Sequence, residues 1–168
     1  RNVQRAFNNG TRQADGRPGK NYWQNTADYQ LNVSFDPASR LISGTVNIAY
    51  TNNSPDTLKQ ILFKIYPNLY KKGSPRMSKI APADLSDGMS IDSMWVNEKM
   101  LDHTRWNIDG TNMLLGRQLL VHGQTLRIRI SYHYTLNKGS HTRTGEVEPN
   151  AAFIAYFFPR VAVYDDID

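Results

Sequence analysis

From Ala27 to Leu136 apolar and polar residues alternate in runs of period two, the mark of strands with one face against a core. Tyr29, Leu31, Val33 and Phe35 alternate with Asp28, Gln30, Asn32 and Ser34. Asp36, Pro37, Ala38 and Ser39 then supply turn chemistry, because proline presets φ and an aspartate side chain accepts bonds from the turn backbone. Ile42, Val46, Ile48 and Tyr50 resume the pattern over residues 42–52, which predicts an antiparallel hairpin. Gly44 inside it points to a bulge or a close backbone approach. Residues 58–66 predict a third strand, with Ile61, Phe63 and Ile65 on one face and Leu62, Lys64 and Tyr66 on the other. Pro67 and Asn68 end it, and residues 69–88, with Gly73, Pro75 and Pro82, predict an irregular excursion.

Residues 89–96 predict a strand, Asn97, Glu98 and Lys99 a tight turn, and residues 100–105 the returning strand. Residues 112–115 and 119–121 predict short strands separated by Gly116. The clearest pattern is 126–136. There Leu126, Ile128, Ile130, Tyr132, Tyr134 and Leu136 form one face, and Arg127, Arg129, Ser131, His133 and Thr135 the other. Residues 137–150 form the longest polar loop. The closing stretch, 153–168 (FIAYFFPRVAVYDDID), predicts a strand, a proline break and a second short strand. Eight or nine strands with almost no helical period predict an all-β fold, a single-domain antiparallel β-sandwich or curved sheet. Residues 1–21 are a polar leader with one helical turn expected over 3–7, and 22–168 form the β domain, opening at Tyr22 and Trp23. The chain opens on Arg1 rather than methionine and closes on an apolar segment with an acidic end. The expectation is therefore of a piece cut from a longer protein.

Composition narrows the class. With 168 residues, 39% hydrophobic and 21% charged, the chain can bury one core and is neither disordered nor membrane-like. No apolar run approaches the ~20 residues of a membrane span. The formal charge of +5 is scattered, from Arg5, Arg12, Arg17 and Lys20 to Lys71, Lys72, Arg127 and Arg129. That distribution describes a basic surface and not a nucleic-acid interface, which gathers its cations on one element. Without cysteine there is neither a disulfide nor a thiolate metal site, which fits any compartment, a bacterial periplasm included.

Catalytic machinery is not visible in the residues. His103, His122, His133 and His141 include no i, i+4 pair, and there is no H-E-x-x-H. No Gly-x-Ser-x-Gly elbow marks a nucleophile. Asp165 and Asp166 are adjacent, so on a strand they point to opposite faces and make no glycosidase pair. Catalytic residues: none in this chain; metal ligands: none. Trp23, Trp95 and Trp106, with nine tyrosines, suit either a sugar-stacking platform or a core, and the enrichment of aromatics in strands and cores favours the core.

The order of the motifs resembles a known domain. Leu41, Gly44, Val46, Ile48, Tyr50 and Asn52 make L-x-x-G-x-V-x-I-x-Y-x-N, and ILFKIYPNLY (61–70) and YFFPRVAVYDD (156–166) follow in order. Over residues 22–168 this resembles the N-terminal β domain of the zinc aminopeptidases, the M-one metallopeptidases typified by alanyl aminopeptidase. The 61–70 stretch looks like the version in Bacteroides-type members. The resemblance implies a saddle-shaped sheet closing over one end of a thermolysin-like catalytic domain, with the closing motif leading into that domain. It implies no cofactor in this chain and zinc in the parent enzyme, where an H-E-x-x-H glutamate is the general base. As partners it implies the chain's own catalytic domain and a peptide substrate, with no nucleic acid and no membrane span. The implied location is periplasmic or secreted. Tyr156, Phe158, Arg160, Asp165 and Asp166 become the candidates for the substrate cleft or the interdomain contact. Where several family members carry a glutamine near the substrate amine, this chain has Ile154 and Tyr156, so the resemblance alone does not assign aminopeptidase specificity. The alternative is a free-standing β-sandwich module binding glycan or protein, whose sign is a row of exposed aromatics on one concave face. The peptidase reading predicts instead a bare apolar patch over 153–164: serine at Phe157 and Phe158 improves solubility if they face a neighbouring domain, and unfolds the chain, against the interface assignment, if they belong to its own core.

Overall fold

The computed structural model describes residues 2–140 and 143–167. A short helix α1 (Asn2–Asn8) precedes eleven strands. They are β1 (Thr26–Asp36), β2 (Leu41–Thr51), β3 (Ile61–Lys64), β4 (Ser90–Val96), β5 (Lys99–Met100), β6 (Trp106–Asp109), β7 (Asn112–Leu115), β8 (Thr125–Thr135), β9 (Thr144–Glu148), β10 (Ala151–Ile154) and β11 (Arg160–Val161). Three antiparallel sheets result: β1-β2-β8-β4-β5, β11-β3-β7-β6, and the hairpin β9-β10. The fold is all-β, as the alternation predicts, with no closed barrel.

Period-two alternation sets the register. β1 and β2 pair without a break from Thr26↔Thr51 to Asp36↔Leu41, and β2 pairs with β8 in the same unbroken way. One face of β2 and β8 is therefore continuous: Ile42, Val46, Ile48, Ile128, Ile130 and Tyr132 are each at most 2% exposed. The second sheet closes this face with Ile61, Phe63, Met113 and Leu115, so both sheets share one core. At about 25 cal/mol per Å² of apolar surface, such burial is the main stabilising contribution.

The 36–39 turn forms as expected: the Asp36 carboxylate accepts from the Ala38 amide at 3.1 Å and the Ser39 hydroxyl at 2.5 Å, and these bonds lower its pKa. Asn97 and Glu98 both adopt positive φ (47° and 66°), the geometry of a tight two-residue hairpin. Gly44 is a close approach and not a bulge. A Cβ there would sit 2.9 Å from the Asn32 carbonyl oxygen and 3.2 Å from the Tyr132 hydroxyl.

Several expectations are corrected. The polar loop 137–150 contains β9, which pairs with β10; polar strand residues on an open hairpin carry no alternation to read. The return after Asn97 is only β5; residues His103–Arg105 turn as a 3-10 helix and lead into β6, which pairs with β7 across Gly110. Residues 119–121 make one bridge, Leu58↔Leu120, and no strand. The third strand shortens to β3, since Tyr66–Tyr70 coils into a 3-10 helix with proline in its first turn. Leu31 and Val33, on the core-facing side of β1, are 39% and 38% exposed because β1 is an edge strand that the second sheet does not cover. Trp23, Trp95 and Trp106 are half-buried, and none is in the fully buried core. The turn expected over 3–7 is α1, and it buries Ala6.

Candidate functional site in the closing segment

After β10 the chain must reverse to bring β11 against β3, where Arg160 pairs with Lys64 and Val161 with Phe63. Tyr156 makes the reversal in the left-handed region, at φ 57°, unusual for a bulky side chain. Pro159 is buried, and β11 is an edge strand. The Val161 amide donates to the Tyr29 hydroxyl at 3.0 Å, and the Phe158 ring stands edge-on to Tyr29, 5.6 Å between centroids. Burial raises the Tyr29 phenol pKa. The segment is thus pinned to both sheets.

On one side of that reversal, arginines and tyrosines alternate. The Tyr66 and Tyr156 rings lie 5.0 Å apart, and the Arg160 guanidinium is 5.5 Å from the centroid of each. The Arg143 guanidinium lies 5.2 Å from the Tyr156 centroid and donates to the Tyr156 hydroxyl. Cation–π contacts of this kind strengthen when partly desolvated. Beneath them is a cavity of about 300 Å³, lined mainly by apolar surface from Tyr66, Pro67, Tyr134, Ala155 and Tyr156, with Arg160 at its side. Asn137 shapes the wall: its amide donates to the Thr144 carbonyl at 3.0 Å and joins the end of β8 to β9.

The acidic end does something else. The Asp166 carboxylate, 3% exposed, takes a two-pronged contact from Arg12, Nη2 to Oδ1 at 2.7 Å and Nε to Oδ2 at 3.0 Å, and a bond from the Thr11 hydroxyl at 2.6 Å. The Arg12 hydrogen bonds, with help from Thr11 and against some burial cost, hold Asp166 down to about 2. Thr11 and Arg12 belong to a small loop in which the Gly19 amide donates to the Thr11 carbonyl. Asp165 lines a separate, larger cavity of about 950 Å³ with Arg5, Trp23, Asp56, His122 and Tyr164. There the Tyr164 hydroxyl donates to Asp56 at 2.7 Å; burial, then Asp56, pushes its pKa up to about 12.

Of the five residues singled out in the sequence, Tyr156 and Arg160 come together, Phe158 packs on Tyr29, and Asp165 and Asp166 lie apart beside the leader. Tyr66, Tyr134 and Arg143 join the first pair without having been anticipated. Arg143 stood unmarked in a polar loop, and only the β9-β10 hairpin carries it to Tyr156. Among the described residues no group of three or more histidines and carboxylates is placed to hold a metal ion. His133 bonds Asp92 at 2.7 Å, His122 the Ser54 carbonyl at 3.0 Å, and His103 stands edge-on to Trp106; His141 lies outside the described residues. These donors do not fit zinc, so no hydrolytic step is assigned to this chain. No helix among the described residues is long and apolar enough to cross a membrane.

No protein-family model matches the chain, and no curated protein matches it either. Solved structures do. A mutant of the M1 zinc metallopeptidase from Deinococcus radiodurans bound to a Tyr-Ser-Ala substrate is 16% identical, with a TM-score of 0.47 over 74% of this chain and 23% of that one. Another structure of the mutant enzyme from Deinococcus radiodurans is 15% identical, with a TM-score of 0.49 over 80% of this chain and 26% of that one. The chain spans about a quarter of the length of these structures, and the likeness is one of fold.

Proposed function

We propose that this chain is the non-catalytic N-terminal β domain of a zinc metallopeptidase of the aminopeptidase type. In this reading it packs on a thermolysin-like catalytic domain and walls the substrate cleft, and the zinc belongs to that catalytic domain. The Bacteroides-type likeness of 61–70 and a periplasmic or secreted location are parts of the same reading. What carries it is the closing motif. Within residues 156–166, Arg160 and Val161 form an edge strand, and the segment together with β10 leaves Phe153 56% and Val163 82% exposed. Apolar side chains left bare beside a sheet edge suit a neighbouring domain. The ordered run from Leu41 to Asn52 supports the same family. The outer face of the large sheet argues against a glycan platform. Of the three tryptophans it presents Trp95, with the Arg129 guanidinium 4.5 Å from the ring centroid, and no row of aromatics.

The test is to read the coding sequence beyond Asp168 and assay the encoded protein on aminoacyl p-nitroanilides. H-E-x-x-H with a glutamate roughly twenty residues further on, and hydrolysis abolished by chelation and restored by zinc, are the expected result. A stop codon soon after Asp168, or a downstream domain without those ligands, sinks the proposal.

A further inference from the structure

The tyrosine-lined cavity beside β11 has Arg160 in its wall, and Arg143 lies against Tyr156, which lines it; among the described residues neither guanidinium is in an ion pair. Among the described residues the ion pairs are Arg12–Asp166, Arg17–Asp15, Lys72–Asp87 and His133–Asp92; Arg160 instead stacks on the Tyr66 and Tyr156 rings, and Arg143 on Tyr156, whose hydroxyl it also bonds. An arginine stacked on an aromatic ring keeps its planar edge of N–H donors free for a carboxylate, which it engages with two parallel bonds. Both cations approach the same ring, Tyr156, and that residue is held at φ 57°. A bulky side chain persists in that region only where its surroundings hold it there, a pattern that gathers at binding sites. Behind the cations the cavity is mostly apolar and encloses about 300 Å³, at the small end of ligand pockets, which run from ~300 to ~1,000 Å³.

We propose that this cavity binds a carboxylate carried on a compact aromatic or branched apolar group. The carboxylate meets Arg160 and Arg143, and the apolar body lies among Tyr66, Pro67, Tyr134 and Tyr156. Charge and lining together select this class. A sugar would meet too few polar groups, and an apolar cation would meet two like charges. The same chemistry has two sources, a free aromatic acid or the C-terminal residue of a peptide. The site needs nothing from a catalytic domain and stands whether or not the metallopeptidase reading holds.

The experiment is titration of the 168-residue chain, by calorimetry and by NMR of the arginine side-chain N–H groups, with four probes. These are N-acetyl-L-phenylalanine, its C-terminal amide, N-acetylalanylphenylalanine and phenylacetate. The expected result is saturable binding of the acids, with Arg143 and Arg160 Nε resonances shifting and the amide weaker by about tenfold or more. Arg143→Gln, at an exposed position that spares the core, weakens the acids to the level of the amide. Arg160→Lys, which keeps the charge and loses the planar fork, leaves an intermediate affinity. Tighter binding of the acetylated dipeptide than of phenylacetate identifies a peptide C-terminus as the source, and the reverse order a free acid; either order supports the carboxylate site. Equal binding of acid and amide, or no saturation at millimolar probe, overturns it.

Discussion

Among the described residues the hydroxyls of Tyr132 and Tyr134 are buried without a hydrogen-bond partner, an arrangement that protein cores generally avoid. Both phenols are pushed up by burial, Tyr132 to about 12. The absence of a Cβ at Gly44 is what leaves room for the Tyr132 hydroxyl, so the glycine and the tyrosine are matched. An unsatisfied buried hydroxyl carries its desolvation cost with nothing to offset it, and removing the oxygen loses no bond. Tyr132→Phe and Tyr134→Phe are therefore expected to be at least as stable as the native chain, by up to about 1–2 kcal/mol each. Urea unfolding with an unchanged m value checks this, and a loss of more than about 1 kcal/mol would reveal a partner that burial conceals. Alternation announced both residues as inward-facing, but their missing partners were not legible, because satisfaction of a hydroxyl depends on atoms from other strands.

At the scale of elements, β10, the Tyr156 reversal and β11 form one unit that carries the candidate site. The strand, proline break and short strand were legible here from the residue types alone. Their role was not. In sequence Phe157 and Phe158 read as bare interface residues whose replacement aids solubility. In the structure both are partly buried against the core, Phe158 against Tyr29 and Phe157 at 5.2 Å from Phe158. Phe158→Ser is accordingly expected to destabilise the chain by about 2–4 kcal/mol, somewhat under the cost of truncating a fully buried phenylalanine. Thermal unfolding followed by circular dichroism measures it. An unchanged midpoint with better solubility would return Phe158 to the interface. The exposed large apolar side chains of the closing segment are Phe153 in β10 and Val163 just after β11, and the interface argument rests on those two.

Across the whole molecule, the leader and the acidic end are tied by Arg12, Thr11 and Asp166, more than 150 positions apart in sequence. Asp166 binds its proton less readily folded, about 2 against an ordinary 3.8. A depressed carboxylate contributes stability that is complete above about pH 4 and is lost as pH falls through about 2. Asp166→Asn should thus lower the melting temperature at pH 7, and the difference from the native chain should shrink between pH 4 and 2. A gap that stays constant over that window would show that the carboxylate's charge is not what holds the leader.

The sequence by itself determined the strand-rich class, the inward face of β2 and β8, the turns at Asp36 and Asn97, and the proline break before Arg160. Each of these follows from local chemistry: side-chain alternation, preset φ, or the absence of a Cβ. Only the tertiary structure decided which strands are edges, so that Leu31 and Val33 stay half-exposed, and which distant groups meet. The joining of Arg143, Tyr66, Tyr156 and Arg160, and of Arg12 with Asp166, depends on sheet pairing that brings separated segments together. Periodicity within a segment carries no information about that pairing.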